Sequence, residues 1–436
     1  MLEHYKEVTK KSKADWDRSR RIFPGGMSHN IRTFGLDRVH VYPPFIQRGD
    51  GSHIWDVDGN EYIDYWMTHF SLILGHNYPA IRKAILGRLD YGVHLGALNE
   101  PQIEFGELLQ DAIPYMKLLR LTTTGSDATM YSTRLCRLFT GKKLVAKVNG
   151  GWHGGNDSLC YHLHYPYKDE PFFTGAYFEF NDRNSFDSLL KAHGKELAAI
   201  IIEPVLGAGG GLAPEPEFLP YLREETENHD ILLIFDEIIT GFRLCFGTAG
   251  NRIYGVEPDL VTLGKIVAGG MPLGVYGGRE DVMKLAAPGA PSGRWVGGGT
   301  FSAHHLTMES GKATLNALKA NKDEYSQLNR RGNKFREEIT AIFNDEGIPA
   351  LATGEGSIAF LHLLKSPLTD KYLTPSQIGE VFDKERTDLL QATLVEEGIF
   401  GYHGLGALSF AHSEADIQHT LEVVQRIAPN FKAHTD

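Results

Sequence analysis

Short apolar runs alternate with helical patterns through the middle of the chain, from about residue 79 to residue 276. Strands that alternate with helices in this way are typical of an α/β domain with a mostly parallel central sheet. The predicted strands of this domain are residues 117–121, 144–148, 199–202, 232–235, 260–263 and 273–276.

The two ends of the chain have a different pattern, in which short strands accompany longer helices. A helix over residues 5–22 stops at Pro24 and two glycines, and three short strands follow at 45–49, 52–56 and 61–65. The elements predicted for the last third are a helix around 330–344, strands at 359–363 and 407–411, and a helix at 414–427.

The length of 436 residues exceeds the size at which one hydrophobic core keeps growing, so two domains are expected. We predict a large α/β domain over residues 66–305. A smaller α+β domain would combine an N-terminal helix and β-meander, residues 1–65, with residues 306–436.

The composition argues against several classes of protein. A formal net charge of −11 argues against a nucleic-acid-binding surface, which needs clustered Lys and Arg. The three cysteines form no Cys-x-x-Cys pair, which indicates a reducing compartment and disfavours a zinc site. No apolar stretch is long enough to span a bilayer. We therefore expect a cytoplasmic enzyme with no nucleic-acid, membrane or metal partner.

Polar residues directly after apolar strands are the first candidates for chemistry, since ligands of parallel sheets lie outside the carboxyl ends of the strands. After the strand at 117–121 come three threonines, Gly125, Ser126 and Asp127, and then a helical pattern. Hydroxyl groups and free amides at the start of a helix suit a phosphate. A helix cap without a ligand explains the same residues, so this turn alone does not decide between the two.

Two further places bring an aromatic side chain and carboxylates to strand ends. The strand at 144–148 leads into a glycine-rich loop with Trp152 and His153, where a flat ring could stack on a heteroaromatic cofactor or only cap the core. Later strands end in Glu203 and in Asp236. These carboxylates could bind a metal ion, or Asp236 could face a ring nitrogen and keep a pyridinium charged.

A lysine, Lys265, follows the strand at 260–263 and precedes apolar residues. Because desolvation lowers the pKa of an ammonium group, such a lysine is a candidate for imine chemistry; a surface lysine is the alternative. Farther along, Thr300 follows three glycines and offers a hydroxyl group and an amide to a phosphate.

The order of these motifs resembles that of the class III (subgroup II) aminotransferases, and most of all that of members similar to glutamate-1-semialdehyde 2,1-aminomutase. The resemblance covers nearly the whole chain. It implies pyridoxal 5′-phosphate (PLP) as the cofactor. It also implies the α/β PLP fold type I, with a large domain whose mostly parallel seven-stranded sheet is flanked by helices, and a smaller α+β domain. The motifs are Thr124-Gly125-Ser126-Asp127, Trp152-His153-Gly154, Glu203-Pro204, Asp236-Glu237, Gly264-Lys265 and Gly299-Thr300.

The resemblance further implies roles around the cofactor ring. Lys265 would bind the cofactor covalently as an imine, and Asp236 would pair with the ring nitrogen, so these two are the expected catalytic residues. Trp152 would stack on the ring with His153 beside it. Glu203 would lie next to the cofactor as a hydrogen-bonding group.

For the phosphate and the substrate, the resemblance implies a second set of residues. Gly125 and Ser126 would hold the phosphate, and Thr300 would reach the phosphate of the neighbouring subunit, which makes a homodimer the smallest active unit. Arg32 lies in a segment similar to the one whose arginine meets the substrate carboxylate in the aminomutases, and a guanidinium grips a carboxylate in bidentate fashion. His69 stands where those enzymes have a tryptophan, and would line the substrate pocket.

The expected activity is transfer of an amino group between a small-molecule donor, an amino acid or amine, and a carbonyl acceptor, a keto acid or aldehyde, by a ping-pong mechanism. Glutamate-1-semialdehyde 2,1-aminomutase is the alternative, and departures from its pattern at residues 302–305 and 402–404 count against it. A non-catalytic PLP-binding protein is a second alternative. A zinc or iron enzyme built on His153, Glu203 and Asp236 is a remote third.

Overall fold

The structure is a computed structural model that describes residues 2–164, 173–290 and 297–432. The chain divides into two compact units. The first unit comprises residues 1–78, 327–369 and 380–436, and the second unit comprises residues 79–326 and 370–379. The boundaries differ from those predicted, because residues 66–78 group with the first unit and residues 306–326 with the second.

The strands, numbered along the described chain, are β1 (Ile46–Asp50), β2 (His53–Asp56), β3 (Glu61–Asp64), β4 (Leu118–Thr122), β5 (Leu144–Val148), β6 (Tyr177–Phe178), β7 (Leu197–Ile202), β8 (Leu232–Asp236), β9 (Leu260–Gly264), β10 (Gly274–Gly278), β11 (Ala350–Thr353), β12 (Ile358–Leu363), β13 (Ile399–Phe400) and β14 (Gly406–Ala407). The α-helices are α1 (Glu3–Val8), α2 (Lys10–Ser19), α3 (Met67–Phe70), α4 (Pro79–Leu89), α5 (Glu100–Ala112), α6 (Gly125–Thr140), α7 (Arg183–His193), α8 (Phe218–Asn228), α9 (Ala249–Arg252), α10 (Glu280–Met283), α11 (His305–Ala320), α12 (Tyr325–Asp345), α13 (Pro375–Val381), α14 (Lys384–Glu396) and α15 (Glu414–Ile427).

The second unit is built around a sheet of seven described strands in the order β4-β10-β9-β8-β7-β5-β6. Its strands pair in parallel from β9 to β6, and β10 runs antiparallel to both of its neighbours. Strands β7 to β10 are buried along their whole length, as expected for a sheet covered on both faces. The predicted α/β fold with a mostly parallel sheet is confirmed.

Helix α11 explains where the second unit ends. It packs against α4, α5 and the 3₁₀ turn Lys265–Ala268. Its buried residues Met308, Leu315 and Leu318 recur at helical spacing along one face. Because this face belongs to the core of the second unit, residues 305–320 do not begin a separate C-terminal domain.

The first unit contains two small sheets. One has the order β1-β2-β3-β13, in which β13 pairs with β3 in parallel and so joins the last third of the chain to its N-terminal strands. The other sheet has the order β11-β12-β14 and is antiparallel. Helix α15 of this unit starts with a capping box between Ser413 and Asp416.

Two predicted elements differ from the structure. The helix predicted over 5–22 is divided into α1 and α2 at Thr9, whose hydroxyl group donates to the carbonyl of Tyr5. The strand predicted at 407–411 pairs only as far as Ala407, because Ser409 and His412 hydrogen-bond to each other in the turn before α15. Local side-chain bonds therefore replace regular structure at both places.

Candidate active site

Three predicted site residues lie side by side because their strands are neighbours. Strands β7, β8 and β9 run parallel, and Glu203, Asp236 and Lys265 stand at their carboxyl ends. Parallel strands present these ends at one edge of the sheet, where ligands of such folds bind. The second unit thus brings one amine and two carboxylates together.

Asp236 is 3% exposed and is held by three donors. Its Oδ2 lies 2.7 Å from Nδ1 of His153, and its Oδ1 accepts from the hydroxyl of Thr262 at 3.0 Å and from the amide of Ile238 at 3.2 Å. A carboxylate can accept about four hydrogen bonds, so Oδ2 keeps room for one more donor. A protonated ring nitrogen of PLP fits this remaining position.

His153 is buried beside Asp236, and burial lowers the pKa of its imidazole although the Asp236 carboxylate acts in the opposite direction. The ring is therefore neutral at pH 7, with its Nδ1 proton donated to Asp236. Within the described residues, its Nε2 has no hydrogen-bond partner. A neutral His153 places no positive charge beside Asp236 that would compete with a pyridinium.

Glu203 accepts hydrogen bonds from two backbone amides, one of which belongs to Trp152. Its Oε1 accepts from the amide of Trp152 at 3.4 Å, and its Oε2 accepts from the amide of Gly207 at 3.1 Å. Burial, assisted by the charge of Asp236, raises the pKa of Glu203 to about 8. At neutral pH its carboxyl group therefore holds a proton for most of the time.

Lys265 begins the 3₁₀ turn Lys265–Ala268 in a left-handed conformation, with φ of +46°. Such a conformation is strained for a residue with a side chain and is enriched at functional sites. Burial lowers the pKa of the Lys265 ammonium group, against the attraction of Asp236 and Glu203. A lysine that loses its proton readily can act as a nucleophile toward an aldehyde, which fits the covalent attachment of PLP.

The phosphate turn is a capped helix start. Thr124 and Asp127 form a capping box at α6, which leaves the amides of Gly125 and Ser126 at the positive end of a 16-residue helix. Gly154, with φ of +89°, approaches so closely that a Cβ there would lie 2.2 Å from Oγ of Ser126. The glycines therefore shape a cradle of backbone that a phosphate fits.

Thr300 is the residue predicted to bind the phosphate of a neighbouring subunit. It is exposed, and its carbonyl oxygen lies 2.9 Å from Nε2 of His94. Its predicted contact is with a neighbouring subunit, so the position of Thr300 in a single chain leaves that contact a prediction.

The predicted substrate residues Arg32 and His69 belong to the first unit. Arg32 is exposed and lines a cavity of about 410 Å³ together with aromatic side chains that include Phe34, Trp66 and Phe400. The ring of His69 stacks on that of Trp66, with 4.4 Å between the centroids. Their contact with a substrate stays a prediction.

Two contributors were not predicted from the sequence. Thr262, inside β9, donates to Asp236, and Thr129 of α6 donates to the carbonyl of His153 at 2.6 Å. The only available signal for Thr262 is a polar residue in an otherwise apolar strand. No signal singles out Thr129 among the polar residues of its helix.

Among residues 2–164, 173–290 and 297–432, no group of three or more His, Cys, Asp or Glu side chains is arranged to hold a metal ion. No helix in these ranges has the length and apolar character needed to cross a membrane.

Comparison with known proteins agrees with this geometry. The family model described as Aminotransferase class-III matches residues 36–366. The glutamate-1-semialdehyde 2,1-aminomutase of Persephonella marina is 37% identical to the chain over 420 residues, which cover 93% of this chain and 95% of the relative.

Two solved structures are also similar. An omega-transaminase from Sphaerobacter thermophilus has a TM-score of 0.86 at 29% identity and covers 98% of this chain and 99% of its own. A β-phenylalanine aminotransferase from Variovorax paradoxus has a TM-score of 0.85 at 28% identity and covers 98% of this chain and 95% of its own. The chain therefore belongs to the class-III aminotransferase family and is a PLP-dependent enzyme.

Proposed function

We propose that this enzyme moves an amino group within one molecule, as a glutamate-1-semialdehyde 2,1-aminomutase. The observation that carries the proposal is the match to a curated aminomutase over 93% of the chain, with the strand-end lysine and aspartate at the expected places. The same match favours the aminomutase over general transamination, which the sequence motifs placed first.

Lys265 and Asp236 are the proposed catalytic residues. PLP, when bound, withdraws electrons from the carbon that loses a proton, provided that its ring nitrogen stays protonated. Asp236 would support that protonation through its Oδ2, because the neutral imidazole of His153 donates to this oxygen and places no competing positive charge beside it. Lys265 would hold the cofactor through its Nζ, and the same amine would be able to move a proton between the reacting carbons. Its lowered pKa suits both tasks.

The remaining cofactor residues position the ring and the phosphate. Trp152 would stack on the ring face, and Glu203 would keep the Trp152 amide in place. Gly125 and Ser126 would bind the phosphate at the start of α6, where the helix dipole favours an anion. These roles are supported by the burial of Glu203 and by the close approach of Gly154 to the serine.

Arg32 and His69 are proposed to contact the substrate. The guanidinium of Arg32 makes no ion pair or hydrogen bond to another side chain within the described residues, so it is available to a carboxylate. The ring of His69 stacks on that of Trp66 and would form part of the wall of the substrate pocket. Glutamate-1-semialdehyde has one carboxylate, which matches one available guanidinium.

A homodimer is the proposed assembly. Exposed apolar side chains on and around α4 and α5 include Leu98, which is 92% exposed, Val93 and Ile103. Exposed apolar side chains that lie this close together in the sequence are candidates for a protein interface, and Thr300 lies in the same unit. Contact across it would allow Thr300 to reach a phosphate in the partner.

Intermolecular transamination, with an amino acid or amine as donor and a keto acid or aldehyde as acceptor, is the second candidate. The aromatic lining of the cavity at Arg32 favours it, since an apolar pocket suits a carboxylate substrate with a bulky side chain. Two aminotransferases among the structural neighbours, at 29% and 28% identity, agree with this reading.

One experiment separates the two candidates. The purified holoenzyme is incubated with glutamate-1-semialdehyde and no second amino donor, and 5-aminolevulinate is measured. The aminomutase forms product under these conditions. If no product forms, while amino acids convert the bound cofactor to its amine form and keto acids restore it, the enzyme is a transaminase. In either case Lys265→Ala should abolish turnover and the absorbance of the lysine-bound cofactor, and normal turnover in this variant would contradict the assignment of Lys265.

A further inference from the structure

Strand β5 contains one charged residue, Lys147, in an otherwise apolar run. Its side chain is fully buried, with 0% exposure. Burial of a lysine is costly unless its ammonium group is well hydrogen-bonded. The contacts of Lys147 therefore indicate what this residue does for the protein.

The ammonium group of Lys147 joins two loop segments. Nζ donates to the carbonyl of Gly151 at 2.7 Å and to the carbonyl of His162 at 3.3 Å, and it lies 5.2 Å from the centre of the Tyr161 ring. The carbonyl of His162 also accepts from the amide of Gly150 at 2.8 Å. Lys147 thus fixes the backbone directly before Trp152 and His153.

We propose that Lys147 is a positioning residue for the cofactor, which holds the loop carrying Trp152 and His153, and through His153 the Asp236 carboxylate, in the geometry that binds the PLP ring. The chain of contacts is short. Gly151 is adjacent to Trp152, and His153 lies 2.7 Å from Asp236. A displacement of the loop would move the stacking ring and the partner of Asp236 together.

Charge supports the same role. The charged groups that act on His153 in the described structure are Asp236 and Lys147, and the positive charge of Lys147 lowers the pKa of His153. A neutral His153 donates to Asp236 and leaves the carboxylate its negative charge. Without Lys147 the imidazole would gain a proton more easily and would compete with the cofactor for Asp236.

The test uses Lys147→Met, which removes both the charge and the donor, and Lys147→Gln, which removes the charge but keeps an N–H donor. Lys142→Met is the matched control, because Lys142 precedes the same strand and its Nζ also donates to two backbone carbonyls, those of Asp230 and His229, but the residue is only half-buried. Three quantities are measured for each protein. They are the thermal midpoint of the apoenzyme, the dissociation constant of PLP, and the pH midpoint of the absorbance change of the bound cofactor.

We expect Lys147→Met to raise the dissociation constant of PLP about 10- to 100-fold, the range for loss of hydrogen bonds to a charged group. It should also raise the pH midpoint by roughly 0.5 unit, because removal of a buried positive charge favours protonation nearby. Lys147→Gln should recover part of the affinity but keep the raised midpoint. Lys142→Met should match the wild type in both.

A merely structural lysine gives a different result. If Lys147→Met lowers the thermal midpoint but binds PLP with the wild-type constant and pH midpoint, the proposal is wrong. Should the Met variant fail to fold, an unchanged pH midpoint in Lys147→Gln overturns it. The inference rests on the cofactor site and not on the substrate, so wild-type enzyme that binds PLP but forms no 5-aminolevulinate would refute the proposed substrate only.

Discussion

Replacement of Glu203 by Gln tests the electrostatics of the site without any substrate. The change keeps the size of a side chain that is 3% exposed and removes its ability to ionise. The change also destabilises the protein by an amount that does not depend on pH. The Gln side chain has only one acceptor oxygen, whereas the backbone N–H groups of Trp152 and Gly207 both donate to Glu203. An unmade hydrogen bond of this kind costs about 1–3 kcal/mol at every pH.

The pH dependence gives the magnitude. The pKa of Glu203 is raised from 4.5 to about 8 in the folded protein, so between these values the unfolded chain has lost a proton that the folded chain still holds. The free energy of unfolding of the wild type therefore falls as pH rises through this window, by about 1.4 kcal/mol per unit. Glu203→Gln cannot ionise, so its free energy of unfolding does not have this pH dependence. The free energy of unfolding of the variant, relative to that of the wild type, should therefore rise by about 2–3 kcal/mol between pH 6 and pH 8.

The assay is thermal unfolding of the apoenzyme, followed calorimetrically at pH 6, 7 and 8. Because the entropy of unfolding scales with chain length, the gain should appear as a relative rise of the variant midpoint by roughly 2–3 °C for a chain of 436 residues. Glu224→Gln, at an exposed glutamate on α8, is the control for loss of a carboxyl group at the surface. Parallel midpoint curves for the wild type and Glu203→Gln would refute the raised pKa and, with it, the claim that this glutamate is protonated beside Asp236.

Three further perturbations test other parts of the site and the assembly. Gly154→Ala should weaken PLP binding at least roughly tenfold, since left-handed strain alone costs about 1–3 kcal/mol and the new Cβ meets Ser126; Gly155→Ala, whose Cβ would meet nothing within 4 Å, should bind PLP normally in the same titration. Asp236→Asn should raise the dissociation constant of PLP roughly 10- to 150-fold, by loss of a charge-assisted bond, and unaltered binding would contradict the pairing with the ring nitrogen. Leu98→Asp should raise the dissociation constant of the dimer at least roughly tenfold, because burial of one leucine contributes about 1.5–3 kcal/mol. The constant is measured by analytical ultracentrifugation, and a monomer–dimer equilibrium equal to that of the wild type at low protein concentration would show that the interface lies elsewhere.

Much of the large sheet could be predicted because its signals are local. Strands β7, β8 and β9 are short apolar runs. Glu203 directly follows β7, Asp236 is the last residue of β8, and Lys265 directly follows β9. Residues at the carboxyl ends of parallel strands share one edge of the sheet whatever the details of packing. The sequence alone therefore determined which side chains could meet a cofactor, and the order of the motifs identified PLP.

The tertiary structure decided which groups surround these residues. It placed antiparallel β10 between β4 and β9, and it brought His153 and Thr262 to Asp236 across 83 and 26 residues of sequence. It also turned a buried strand lysine, Lys147, toward the loop before Trp152. The apolar pattern of a strand specifies that the strand is buried, whereas strand order and long-range hydrogen bonds depend on which surfaces pack together. For that reason the position of Glu203, Asp236 and Lys265 at one edge of the sheet could be predicted from the sequence, but their hydrogen-bond partners could not.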